Sequence, residues 1–294
     1  MDLQHQFKEY IQWVNNKLEV YLTNNGTKNK QLFDAMSYSI FAGGKRLRPV
    51  LALGAYHMFK DDTQEVMPYA CGLEMIHTYS LIHDDLPAMD DDDFRRNKPT
   101  NHKVFGEGVA ILAGDGLLNY AFEIMLADAL INKNVKYYNA IYEISRAAGV
   151  HGMIGGQLVD LESEGKTIDI ETLDYIHFNK TASMIIASLK VGTIIGDGNQ
   201  NDINNMEIIG KNLGLAFQIR DDILDIIGNQ EMLGKDIGSD QQNEKSTYPS
   251  IYGLEYSKNK VMELTQEVDD ILSKYGEKAL FLRELSLFLM EREY

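Results

Sequence analysis

Residues 69–93 read YACGLEMIHTYSLIHDDLPAMDDDD. From Tyr69 to Asp85 this stretch is almost wholly apolar, and as a helix it would run about 25 Å. Pro87 stops it, because proline has no N–H and its ring clashes with the preceding turn. A helix apolar on more than one face needs other helices around it, so this one reads as central to an all-α fold.

Working outward, helical periodicity continues in both directions. Phe7 to Leu22 places Phe7, Ile11, Val14, Leu18 and Leu22 on one stripe. Lys30 to Ala42 forms a second helix that ends at Gly43-Gly44. Pro49 suits the first turn of a third, which runs to about Phe59. Beyond the acidic stretch, further helices are expected at Glu107 to Leu130, Tyr137 to Val150, Leu173 to Ile195, Asp202 to Ile227, Tyr256 to Tyr275 and Glu277 to Arg292. No fixed-period repeat and no Pro/Ser/Gly linker divides the chain. The expectation is one large all-α domain over residues 1–294.

The 294 residues are 44% hydrophobic, enough for a sizeable core, and include only five prolines. Cys71 is the single cysteine, which excludes an intrachain disulfide framework and fits a reducing compartment. The polar N-terminus MDLQHQFKEY carries no secretory h-region. No apolar stretch reads as the roughly 18 residues of a spanning helix, since Lys190 breaks the run from Met184 to Ile195. A cytoplasmic enzyme with no stable membrane anchor is expected. The net charge of −16 argues against nucleic acid or an anionic membrane as partner. A polyanionic substrate would then need divalent cations and local Lys and Arg.

Two aspartate clusters close apolar helices: Asp84, Asp85 and Asp90, followed by Asp91 to Asp93, and Asp221, Asp222 and Asp225. Adjacent carboxylates at such places repel one another and are costly to desolvate, and a shared cation removes both penalties. Asp221 and Asp225 are four apart and share a helix face. Asp84 and Asp90 would not, but a turn at Pro87 brings Asp90 back beside Asp84. Oxygen-only ligands suit Mg²⁺. No His or Cys is spaced for zinc, and an EF-hand loop counted from Asp90 fails at Arg95 and Asn101. A solvated acidic helix end would account for one such cluster, but two with cations close by point to metal.

Cations stand beside both clusters. Arg95 and Arg96 follow the first, and if helical they point about 100° apart, toward two different anions. Gly44-Lys45-Arg46-Leu47-Arg48-Pro49 sits at a helix entry, with Lys45 and Arg48 three apart, as an anion site. It is not a Walker loop, since Arg46 stands where Ser or Thr belongs. Lys235-Asp236 follows the second cluster, and Lys180-Thr181 lies at a helix opening. His77 is two turns before Asp84 on the same face. Gly152 to Gln157 lacks a preceding strand and reads as close helix packing rather than a nucleotide loop.

With these residues in hand, the sequence resembles the trans-polyprenyl diphosphate synthase family, and within it the bacterial farnesyl diphosphate synthases. GGKRLRP (43–49), HTYSLIHDDLPAMDDDDFRRNKPTNH (77–102), AILAGD (110–115), GMIGGQLVD (152–160), LGLAFQIRDDILD (213–225) and GKDIGSD (234–240) resemble its signature blocks in order. The resemblance implies an isoprenoid synthase fold, with helices around a central apolar cavity and the aspartate motifs facing each other at its mouth. It implies that Asp84, Asp85, Asp90, Asp221, Asp222 and Asp225 hold three Mg²⁺. It assigns Arg95, Lys180, Thr181, Gln218 and Lys235 to the allylic diphosphate, with Lys180, Thr181 and Gln218 catalytic. Lys45, Arg48, His77 and Arg96 fall to isopentenyl diphosphate. A homodimer is implied too. Asn97 departs from the Gly common after the arginine pair, and the tail Glu291-Arg292-Glu293-Tyr294 resembles the family only weakly.

The implied reaction joins isopentenyl diphosphate to dimethylallyl and geranyl diphosphate, giving farnesyl diphosphate. Tyr79, five residues and roughly 7.5 Å before Asp84, with small Ser80 beside it, would be the floor that stops growth at fifteen carbons. A geranylgeranyl synthase with the same chemistry is the alternative. A class I terpene cyclase fits Asp221 to Asp225 poorly. A non-catalytic synthase subunit would lack part of the Asp or Lys/Arg set, and a structural cation-binding protein would not need Lys45, Arg48, Arg95 and Arg96 together.

Overall fold

The computed structural model describes residues 2–23, 28–227 and 246–291. They group into two compact units, residues 1–53 with 62–141 and residues 54–61 with 142–294.

In the first unit, α1 (Leu3–Leu22) buries Tyr10, Val14, Leu18 and Leu22. The stripe expected from the sequence holds for its second half, while Tyr10 replaces Phe7 and Ile11 as the buried residue of the first. After α2 (Lys30–Ile40), α3 (Leu47–Tyr56) starts at the expected place, with Pro49 in its first turn, and its last three residues belong to the second unit. Next, α4 (Met67–Asp84) is buried at every position from Met67 to Ile76, as its unbroken apolar sequence requires. The thiol of Cys71 is enclosed there.

A two-stranded hairpin that the sequence reading missed follows the acidic stretch. β1 (Phe94–Arg95) pairs antiparallel with β2 (Lys98–Pro99) across Arg96-Asn97. Both turn residues have positive φ, 54° and 60°, the signature of a two-residue type I′ turn. Asn tolerates that conformation, so Asn97 can hold the turn without a glycine. Arg95 and Arg96 therefore stand on a hairpin, not on a helix.

The short α5 (Asn101–Phe105) leads into α6 (Glu107–Asn132). By length and composition α6 alone among the described helices could cross a membrane, a test that a packed core helix also passes. The helix supplies a buried stripe including Ala110, Ala113, Gly114, Leu117 and Ala121, and α4 and α2 pack on it. The first unit ends within α7 (Val135–Ala148).

In the second unit come α8 (Met153–Ser163) and α9 (Ile170–Ile176). A π-helical turn, His177–Ala182, joins α9 to α10 (Ser183–Ile195) without a break. Lys180-Thr181 thus lies inside a continuous helical run rather than at a helix opening. α11 (Gln200–Ile227) packs along α10. α12 (Tyr248–Tyr252), α13 (Leu254–Leu272), a 3₁₀ turn (Ser273–Ala279) and α14 (Leu280–Glu291) close the described chain.

Gly156 of α8 lies directly against the π turn: a Cβ there would sit 2.3 Å from the Lys180 backbone N and 2.8 Å from the Asn179 carbonyl carbon. This supports close helix packing as the reason for the glycines at 152–157. Gly156→Ala is expected to destabilise the protein by about 1–3 kcal/mol through overpacking. Urea unfolding measures this, and an unchanged midpoint would contradict so tight a contact.

Candidate active site

α4 ends at Asp84, and the chain turns back at once. The Asp90 N–H donates to the Asp84 carbonyl at 2.8 Å, and the Met89 N–H to that of Leu86 at 2.8 Å. The return expected at Pro87 is present. Asp84 is partly exposed and Asp90 exposed, but Asp85 is 3% exposed. The Asp85 carboxylate takes the Arg95 Nε–H at 2.5 Å, and the same guanidinium reaches Asp92 at 3.3 Å. Burial pushes the Asp85 carboxyl up to about 6 against the pull of Arg95.

The cations gather at the loop before α3. Arg96 donates Nη1–H to the Gly43 carbonyl, and its guanidinium covers Gly44. A Cβ on Gly44 would lie 2.6 Å from the guanidinium carbon, and φ there is +118°, so only glycine serves. Lys45 is exposed and Arg48 partly buried. Burial lowers the Arg48 guanidinium to about 10, with Glu74 opposing and Arg96 adding to the shift. His77 is held well below the usual imidazole range, first by burial and then by Arg48, Arg96, Arg95 and Arg46. It stands here as a neutral ring among arginines. Ser80 donates its hydroxyl to the His77 carbonyl at 3.0 Å.

Tyr79 is 6% exposed and meets the His83 ring edge-on at 5.7 Å. Burial and then Asp84 push its phenol up to about 12. His83 in turn is set against Gly114 of α6, and its Nε2 lies 3.0 Å from the Ile111 carbonyl.

In the second unit, Asp221 and Asp225 fall on a partly exposed face of α11, whereas Asp222 is 5% exposed. Asp222 Oδ2 accepts the Tyr248 backbone N–H at 3.0 Å and lies 3.9 Å from His177 Nε2. Lys180 donates to Asp160 at 2.5 Å, and the Thr181 hydroxyl to Gln218 Oε1 at 2.9 Å. The π turn brings these side chains to bear on α8 and α11, since the wider turn shifts the helix register within six residues. Lys235, Asp236 and the tail 292–294 lie outside the described residues.

Each cluster is therefore divided alike: its second aspartate turns inward to a protein partner, and its first and last stand more open. Among the described residues no group of three His, Cys, Asp or Glu is poised to hold a metal by itself. The open carboxylates fit Mg²⁺, which needs only one or two carboxylates and completes its octahedron with water and substrate phosphate oxygens.

Sequence reasoning missed Asp160, His177, Glu74 and the inward role of Arg46. Asp160 could have been found from its place in GMIGGQLVD, a quoted signature block. Nothing in the sequence pairs Arg46 with Glu74, 28 residues away.

Polyprenyl synthetase is the family whose pattern matches residues 29–279. The farnesyl diphosphate synthase of Geobacillus stearothermophilus is 51% identical over 233 residues, 79% of this chain and 78% of that protein. That of Bacillus subtilis strain 168 is 42% identical over 282 residues, 96% and 95% of the two chains. The crystal structure of a FPP/GFPP synthase from Zymomonas mobilis superposes with a TM-score of 0.88 at 31% identity, covering 98% of each chain. The chain belongs to the polyprenyl synthetase family.

His177 offers a test of the second unit. It is 6% exposed, it stacks on Tyr248 at 5.8 Å, and burial lowers its imidazole to about 4. The unfolded chain, with a normal histidine near 6.5, binds the proton first. Stability from this group is therefore lost as pH falls from about 6.5 toward 4. In metal-free protein, His177→Phe keeps the stack and should remove about 2 kcal/mol of that acid sensitivity between about pH 7 and 4.5. Urea unfolding at pH 7 and pH 4.5 checks this, and equal pH dependence in parent and variant would refute it.

Proposed function

We propose that this protein is a Mg²⁺-dependent prenyltransferase that condenses isopentenyl diphosphate with dimethylallyl and then geranyl diphosphate, releasing farnesyl diphosphate and diphosphate. The observation that carries this reading is the pairing of open carboxylates with a guanidinium cluster, in a chain whose net charge is −16 and which would otherwise repel such substrates. Residues 29–279 match one family pattern across both units, which supports a single functional domain.

In this reading Asp84, Asp90, Asp221 and Asp225 hold Mg²⁺, and Asp85 and Asp222 orient their neighbours from behind. Bound Mg²⁺ supplies Lewis-acid neutralisation of the departing diphosphate. Arg95, Lys180 and Lys235 add fixed positive charge where that leaving group gathers its negative charge. Arg95 is held ready by Asp85, and Lys180 by Asp160. Lys45, Arg48, Arg96 and neutral His77 hold isopentenyl diphosphate. The allylic C–O bond breaks to give a delocalised cation, and Thr181 and Gln218 line its path. The isopentenyl double bond then forms the new C–C bond, and a proton leaves to the departing diphosphate.

A cytoplasmic homodimer completes the proposal. Ile111, Leu112, Leu126 and Leu130 are exposed along α6, and a second copy would cover that apolar stripe. Incubation with isopentenyl and geranyl diphosphates and Mg²⁺, followed by extraction, should yield a fifteen-carbon product.

Asp84→Ala and Asp221→Ala should each cut kcat by about two to three orders of magnitude with unfolding midpoints near that of the parent. Near-normal turnover of both at saturating Mg²⁺ would remove the metal assignment. For product length, Tyr79→Ala should open the floor and move the mixture to twenty carbons or more. A wild-type product from that variant would place the floor elsewhere and favour neither length.

A further inference from the structure

Arg46 stands between two residues assigned to isopentenyl diphosphate, yet its side chain turns the other way. It is 4% exposed. Nε donates to Asn15 Oδ1 at 3.0 Å, Nη1 to Glu74 Oε1 at 2.9 Å and to the Gly43 carbonyl at 3.0 Å, and Nη2 to the Ile40 carbonyl at 2.5 Å. One guanidinium thus joins α1, the end of α2, the glycine loop and α4. Its own backbone is left-handed, φ 50°. A non-glycine residue keeps such a conformation only where surrounding contacts determine it, and here those four bonds do.

Glu74 is 1% exposed, and its second oxygen, Oε2, has no hydrogen-bond partner. It lies one helical turn before His77 on the same side of α4, and its charge also reaches Arg48 and Arg96. A buried ion pair of this kind adds little net stability over well-packed apolar side chains. Stability alone therefore gives no reason for it at this place. Geometry gives one: Lys45 and Arg48 leave the chain on either side of Arg46, while Gly44 carries Arg96.

We propose that Arg46 and Glu74 are positioning residues for isopentenyl diphosphate, a buried pair that locks the 43–48 loop to the face of α4 bearing His77. The inference rests on the assignment of Lys45, Arg48 and His77 to that substrate. The planar fork is essential, because a lysine would keep the charge but could not reach four acceptors in three directions. Without Arg46, Glu74 is left to draw on Arg48 and Arg96, which its charge already reaches, and to withdraw them from the substrate.

The test is steady-state kinetics with both substrates on Arg46→Lys and on the double variant Arg46→Met/Glu74→Met, beside Arg48→Ala as reference. The double variant should stay folded with a somewhat lower midpoint in urea, because both charges leave together while Asn15 and the Gly43 and Ile40 carbonyls lose their donor. Its KM for isopentenyl diphosphate should nevertheless rise about tenfold, with the allylic KM within about twofold. A folded double variant whose isopentenyl KM stays within about twofold of the parent overturns the inference. If the double variant does not fold, Arg46→Lys and Asn15→Ala decide: a rise confined to the isopentenyl KM supports it, and equal change in both KM values overturns it. Should Arg48→Ala leave the isopentenyl KM unchanged, the substrate assignment itself fails. A rise there with none in the double variant sinks only the positioning role.

Discussion

Adjacent carboxylates at the ends of buried helices are the constraint on which the rest of this structure turns. An aspartate pair placed there has two ways to avoid repulsion, an internal cation or an external one. In each cluster the second aspartate is met from within the protein. Asp85 takes Arg95 and Asp222 takes a backbone N–H, which leaves Asp84, Asp90, Asp221 and Asp225 more open to solvent. The division gives each carboxylate a distinct energetic role. The inward member fixes where the helix end and its neighbouring loop lie, so the outward members present their oxygens without a search through conformations. Preorganisation of that kind is what charge stabilisation in a reaction requires.

The cationic side obeys the same logic with the signs reversed. Arg46 is neutralised inside by Glu74, and Arg95 is held by Asp85 and Asp92. Arg96 rests on a backbone carbonyl and covers a glycine. Each guanidinium is therefore oriented by a different partner, and the excess of positive charge is concentrated where the chain itself is strongly acidic overall. His77 stays neutral in their company, so it can offer a hydrogen bond without adding to the repulsion.

Most of the helical framework was legible in the sequence because apolar periodicity and the stops at Gly43 and Pro87 are local signals. α4, α6, α7 and α11 fall within about two residues of their expected ends, the ordinary fraying of helix boundaries. The hairpin at 94–99 was not legible, since two-residue strands bear no period and an Arg-Asn turn is not a glycine signal. The π turn escaped for a different reason: its residues have helical composition, and the altered register shows only in the backbone of His177–Ala182. In the candidate site, charge type and spacing gave the members but not their directions. Asp222 and Asp225 look alike in sequence, and burial alone separates them. The family resemblance named Lys180, and the contact with Asp160 needed coordinates.

The π turn between His177 and Ala182 also governs what kinds of sequence drift this region can absorb. Such a turn holds one residue more than α geometry would over the same rise. Exchanging a side chain there changes one contact. Losing a single codon there would remove the extra residue and restore α geometry over the same rise, leaving the helix beyond it in place. The long buried run of α10 would keep its side toward α11, and the change would fall on the side chains of the turn itself, Lys180 and Thr181 among them. A one-residue change of length is therefore something the surrounding helices can absorb at these six positions, and its consequence is confined to where the side chains of the turn point.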